Sequence, residues 1–248
     1  MKFIDLLDKK LDKNIIALGS KVGNLLTLDI DKYNSIIITG STGTGKSVLL
    51  DEIILQMINK YNSSELRLVL IDTIGTELNY YKDTNYSLLT AMNDNDKGQE
   101  VLLKLLEEVH RRKEILKDNN VSSIDEYNIK YNHNIPKLLI AIDDNKSFLD
   151  QPDVSNMIKN IIKNIDKLNM LFVLNTNDVH NTFFERDNNL YAKVLISFDQ
   201  SGTKEAENSN IPFANDLQIG KFIAYKDDNY EEYNTLEFDD KIIEEIID

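Results

Sequence analysis

The sequence predicts an α/β fold: three layers, with a mainly parallel sheet between helices and a β-hairpin at the N-terminal side. Three observations carry this. After Asn34, strand-like apolar runs alternate with helically patterned segments. The runs are continuously apolar, as strands buried on both faces are. A glycine-rich turn, "GSTGTGKS", joins the first such strand to the first helix.

The elements follow in order. "NIIALGS" (14–20) and "NLLTLDI" (24–30), separated by "KVG", predict the hairpin. Core strands are expected at 35–40, 66–72, 137–143, 171–176 and 192–197. Helices are expected at 46–60, at 97–118 with Leu102, Leu105, Leu106 and Val109 on one stripe, and at 153–168. Strand–helix–strand repetition implies right-handed crossovers and a sheet covered on both faces. "GKFIAY" (220–225) and "YNTLEF" (233–238) predict a closing strand pair before a short acidic helix. No Pro/Gly/Ser linker interrupts the chain. One domain, 1–248, is expected: a hairpin extension over 1–34, a core over 35–225 and an acidic tail over 226–248.

Composition narrows the function. At 248 residues and 42% hydrophobic, the chain can bury one full core. No apolar run approaches the roughly 20 residues that span a bilayer, so no direct membrane insertion is expected and a cytoplasmic location is. The absence of cysteine excludes disulfides and zinc–thiolate sites. His110, His133 and His180 are scattered without a metal-ligand pattern. Of the net charge of −14, residues 226–248 hold −8, through ten acids and two lysines. That stretch is expected to be a solvated terminus. The remainder is mildly acidic and has no basic stripe for phosphate binding on its outer surface.

Gly40 to Ser47 match G-x-x-x-x-G-K-[ST] in full, with the strand before and helix after that the motif requires. Gly43 and Gly45 let the backbone fold into a nest of N–H groups aimed at phosphate oxygens. The following helix adds its positive end. Gly40, Ser41, Thr42, Gly43, Thr44, Gly45, Lys46, Ser47 and Val48 are the expected nucleotide-binding residues. Lys46 would reach the β- and γ-phosphates of ATP, and the Ser47 hydroxyl would ligate Mg²⁺. The fold is then a P-loop NTPase of the RecA-like kind. A second carboxylate strand next to the phosphate loop, "KLLIAIDD", supplies Asp143 to hold Mg²⁺ through water and Asp144 to orient the attacking water.

These segments resemble the motor domain of the FtsK/SpoIIIE DNA translocases, within the FtsK–HerA superfamily of ring ATPases. The resemblance covers roughly residues 14–225. Beside the phosphate loop and its approach, it rests on "LRLVLIDTIGTELNYY", with Asp72, Glu77, Leu78 and Tyr80 in place, and on "LLEEVHRRKEILKDNNVSSIDEYN". "LLIAIDD" and "LFVLNTN" resemble the acidic strand and the polar sensor strand, which adds Asn177 to the expected catalytic residues Lys46, Asp143 and Asp144. The resemblance implies a hexameric ring that hydrolyses ATP between subunits and pulls double-stranded DNA through its pore. Set against the full-length relatives, the chain is expected to be a motor domain alone, without their membrane segments.

The sequence departs from the family pattern at several places. Asp144 stands for the usual glutamate, one methylene shorter, which implies slower hydrolysis. Asn177, Asp178 and Val179 replace a glutamine followed by Arg-Pro, and Ile74 and Gly75 replace lysines. Among Arg67, Arg111, Arg112 and Arg186, none sits clearly where a finger reaching a neighbouring subunit belongs; Arg111 and Arg112 are expected on a solvated helix face. Three readings stay open: a DNA translocase, a motor acting on protein cargo or with a membrane-anchored partner, and an ATP-binding subunit that barely hydrolyses.

Overall fold

The computed structural model describes residues 1–9, 11–144, 148–177, 192–199 and 217–247. Its α/β architecture is centred on a ten-stranded mixed sheet. The strands are β1 (Ile15–Lys21), β2 (Asn24–Asp29), β3 (Ser35–Thr39), β4 (Leu66–Asp72), β5 (Ser87–Met92), β6 (Lys137–Asp144), β7 (Met170–Thr176), β8 (Val194–Ser197), β9 (Lys221–Lys226) and β10 (Asn229–Asn234). Their order is β2-β1-β10-β9-β8-β3-β7-β6-β4-β5. From β8 to β5 neighbouring strands run parallel; from β8 through β9, β10 and β1 to β2 they are antiparallel.

Parallel strands need helical crossovers, which cover both faces. Side-chain alternation divides the core accordingly. Ile36 and Ile38 of β3, and Leu139 and Ala141 of β6, face the cluster that holds α1 (Phe3–Leu7), α2 (Lys46–Lys60) and α6 (Lys241–Ile247). Ile37, Ile140 and Ile142 face the cluster under α3 (Asn95–Asn119) and α5 (Pro152–Asn164). All eight residues of β6 are buried, as its unbroken apolar run predicts.

Several expectations shift. The hairpin forms as read, turning at Val22–Gly23 with both φ angles positive. The second closing strand does not lie at 233–238. A tight turn at Asp227–Asp228, again with both φ angles positive, starts β10 at Asn229. The acidic stretch is not a detached tail: Leu236, Ile242 and Ile243 are buried, and α6 packs on α2. β6 does not pair with β3 either, since β7 lies between them. Two further elements are β5, a half-exposed edge strand, and α4 (Ile124–Tyr131), whose N-cap Ser123 accepts from Glu126 N at 3.0 Å.

Arg112 is 1% exposed rather than solvated. Its guanidinium donates to the carbonyls of Leu168, Asn169 and Pro136 and to Glu108, tying α3 to two loops. Arg112→Ala strands those acceptors, so stability should fall by about 3 kcal/mol. For a chain of this length that lowers the melting temperature by roughly 6–12 °C. A loss below about 1 kcal/mol in thermal melts would show the network is dispensable.

α2 is buried almost all round, and this includes Glu52, 0% exposed with both carboxylate oxygens unpartnered among the described residues. Burial pushes Glu52 up to about 9, and the neighbouring Asp51 adds to the shift. A carboxyl with a raised folded pKa holds its proton in the folded chain and loses it in the unfolded one. Stability therefore falls as pH climbs from the ordinary carboxylate range toward 9. Between pH 6 and 8 the wild type should lose roughly 2 kcal/mol more than Glu52→Gln in urea unfolding. Parallel pH profiles for the two proteins would show Glu52 is not held neutral.

A candidate nucleotide site at the parallel edge

β3 ends at Thr39, and the glycine-rich turn carries the chain into α2. The turn is possible only with these glycines. Gly45 sits at φ 109°, a conformation costly for any side chain, and a Cβ on Gly40 would lie 2.6 Å from Cβ of Phe198. Phe198, fully buried, continues β8 by donating its N–H to Thr39 O, while Ser41 N–H donates to Asp199 O. The loop is thus clamped by the chain that follows β8. Inside it, Thr44 Oγ1 and Lys46 Nζ both donate to the Ser41 carbonyl, at 2.8 and 3.0 Å.

A cavity of about 450 Å³ opens above this loop. Thr42, Gly43, Gly45, Lys46, Ser47 and Val48 line it, and Asp143, Asp144, Asn177, Asn175, Ile74 and Glu77 face them. All four expected catalytic residues therefore border one space. Of the expected binding residues, Gly40, Ser41 and Thr44 stay beneath the loop and brace it.

Register explains the convergence. Parallel pairing sets Asp72 level with Asp143, and Asp143 level with Asn175. Asn175 Nδ2 donates to Asp143 Oδ1 at 2.6 Å. Asn175 is 2% exposed, and its own Oδ1 is buried without a partner among the described residues. This amide is the site residue that the sequence reading passes over in favour of Asn177. Its signal was present: a lone polar residue inside the apolar run "LFVLNT" has to be satisfied by something.

The charges are coupled. Burial, then the charges of Asp72 and Glu77, push Asp143 up to about 7, while Lys46 and the Asn175 amide pull it down. Burial likewise lowers Lys46, against the opposing pull of Asp143 and Glu77. Asp144, on the alternate face of β6, is 2% exposed and accepts from Thr73 Oγ1, Phe148 N and Leu149 N. Glu77 is half-buried at the start of a 3-10 turn, Leu78–Tyr81.

A second cavity, of about 480 Å³, lies among α3, β4 and β5 and is lined by Arg67, Arg111 and Arg112. These arginines are engaged within the chain. Arg67 donates to Ser87 O, Arg111 pairs with Glu108, and Arg112 is buried as described. Asp178, Val179, His180 and Arg186 lie outside the described residues.

"DNA translocase FtsK" of Clostridium tetani is 31% identical over 143 residues, 55% of this chain and 19% of that protein. "DNA translocase FtsK" of Caldanaerobacter subterraneus subsp. tengcongensis is 33% identical over 131 residues, 52% of this chain and 18% of that protein. The chain thus spans about a fifth of the length of these curated relatives. Among solved structures, EssC (ATPases 2 and 3) from Geobacillus thermodenitrificans superposes with TM-score 0.78 at 19% identity, covering 94% of this chain and 47% of that one. The pCW3 conjugation coupling protein TcpA, solved with ATPγS, does so with TM-score 0.78 at 16% identity, covering 98% and 72%. At those identities the likeness establishes the fold. The model of the FtsK/SpoIIIE family matches residues 6–187, well over half of the sequence, and the chain belongs to that family of P-loop ATPases.

Proposed function

We propose that this chain is an ATP-hydrolysing motor domain that moves double-stranded DNA as part of a homo-oligomeric ring. The observation that carries the chemistry is the meeting of Lys46, Ser47, Asp143 and Asn175 in one cavity beside a complete phosphate loop. The names of its curated relatives support DNA as the cargo.

In this reading the loop N–H groups and Lys46 hold the triphosphate. Mg²⁺ fits the residues present. Asp143 supplies a carboxylate, Ser47 a hydroxyl, and the Asn175 carbonyl oxygen is buried beside them without a partner among the described residues. When bound, the ion would neutralise charge on the β- and γ-phosphates. Asn175 then acts by fixing the rotamer of Asp143, as groups behind a metal ligand do. Lys46 must leave the Ser41 carbonyl to reach a phosphate.

One observation favours a second reading, a motor acting on protein. The net charge is −14, and Arg67, Arg111 and Arg112 are all engaged within the chain, so the described residues offer no arginine cluster for a phosphate backbone.

ATPase activity of the assembled protein separates the two. A DNA motor should turn over several-fold faster with duplex DNA, and the stimulation should fade with salt. Indifference to DNA in a ring of confirmed mass would leave the protein-directed reading. Lys46→Ala should abolish thermal stabilisation by MgATP; a variant that still binds normally would refute the phosphate-loop assignment.

Asn175→Ala should weaken MgATP binding by about tenfold or more, while binding of ATP in EDTA changes little. Equal losses with and without Mg²⁺ would place Asn175 on the nucleotide instead.

A further inference from the structure

The cavity presents two carboxylates that could orient an attacking water, and the structure separates them. Asp144 is 2% exposed, and both of its oxygens accept hydrogen bonds. Thr73 Oγ1 donates to Oδ1 at 3.0 Å and Phe148 N to Oδ1 at 3.4 Å, while Leu149 N donates to Oδ2 at 3.2 Å. Turning toward a substrate would leave those buried donors without acceptors, which is costly. Asp144 thus holds the backbone at Phe148 and Leu149.

Glu77 stands differently. It borders the same cavity as Lys46 and Asp143, and the charges of both are coupled to its own. None of the described residues donates a hydrogen bond to its carboxylate. Its backbone is nevertheless fixed. Asp72 accepts from Ile74 N and Gly75 N on one oxygen, at 3.0 and 2.7 Å, and from Leu78 N on the other, at 2.9 Å. Gly75 supports the turn at φ 83°, against Asn93. A rigid backbone thus presents a carboxylate one methylene longer than aspartate to the space beside Lys46.

We propose that Glu77, rather than Asp144, orients the water that attacks the γ-phosphate. The inference rests on the ATP-hydrolysing reading above. In the step, the water oxygen bonds to the γ-phosphorus as the bridging P–O bond breaks, and ADP leaves with the bridging oxygen. The water's proton passes to the Glu77 carboxylate and from there to solvent.

The test compares Glu77→Gln, Glu77→Asp and Asp144→Asn with Lys46→Ala as control, measuring phosphate release, affinity for a fluorescent ATP analogue, and melting temperature. Glu77→Gln should lower kcat by about 100-fold or more. It should bind nucleotide as tightly as the wild type or tighter, because a negative charge beside the triphosphate is gone. Glu77→Asp should recover part of kcat. Asp144→Asn should lower the melting temperature by several degrees and kcat by less than about tenfold. The proposal is overturned if Glu77→Gln keeps more than a third of kcat, or loses nucleotide binding together with turnover. It is equally overturned if Asp144→Asn alone shows the 100-fold loss at unchanged melting temperature, or if the wild type binds ATP without turnover. A wild type that binds no nucleotide, like Lys46→Ala, would instead sink the phosphate-loop reading beneath it.

Discussion

Three carboxylates buried at one end of a parallel sheet are the constraint on which the rest of the site depends. Asp72, Asp143 and Asp144 are each less than a tenth exposed, and an ionised carboxylate taken out of water must be compensated. Asp72 is satisfied by three backbone N–H groups of the turn that it organises. Asp144 is satisfied by Thr73 and by the backbone at Phe148 and Leu149. Asp143 receives the Asn175 amide, and its pKa rises to about 7. Unequal compensation divides the labour. Two acids spend their lone pairs on shaping loops, and the third remains poorly stabilised and responsive to whatever cation approaches. Lys46, itself destabilised by burial, is one such charge.

That arrangement requires strand order as much as residue type. β7 lies between β3 and β6, so side chains of a third strand also enter the site. Asn175 of β7 sits level with Asp143 and donates to it. A local motif search finds the loop and the acids because each is contiguous in sequence. The Asn175–Asp143 pairing emerges only once the sheet order is known, although an asparagine in an apolar strand signals that some partner exists. Glu77 is similar. It lies in the segment "TIGTELNYY", outside any expected element, and the turn that aims it depends on Asp72.

Elsewhere, legibility follows burial. β3, β4, β6 and β7 are read directly because strands covered on both faces are apolar without interruption. Among the described residues β5 pairs only with β4, and Leu88 on it is 48% exposed, so its pattern is diluted. β10 is exposed along nearly its whole length, and its position comes from the two-residue turn at Asp227–Asp228 rather than from hydrophobicity. α4 did carry a local signal. Ser123 caps Glu126 N while Glu126 accepts from Ser122 N and Oγ, close to a capping box. The acidic C-terminal stretch misleads because charge dominates its composition. Its apolar residues dock: Leu236, Ile242 and Ile243 are buried, and Tyr233, Phe238, Ile246 and Ile247 pack partly buried against the same core.

The charge balance of the cavity bears on what it can accept. Lys46 contributes one positive charge, and Asp143 and Glu77 contribute carboxylates that act on it. A bare triphosphate entering such a space would meet the phosphate-binding lysine together with two like-charged neighbours. With a divalent cation bound, Asp143 would be a partner rather than a repulsive neighbour, and Lys46 would be left to the phosphates. Among the described residues, the carboxylate of Glu77 would then remain as the one acid lining the cavity not committed to holding the ion or shaping a loop. On the proposed reading, a site with this composition would favour nucleotide that arrives with its metal, coupling recognition of the triphosphate to the presence of the cation.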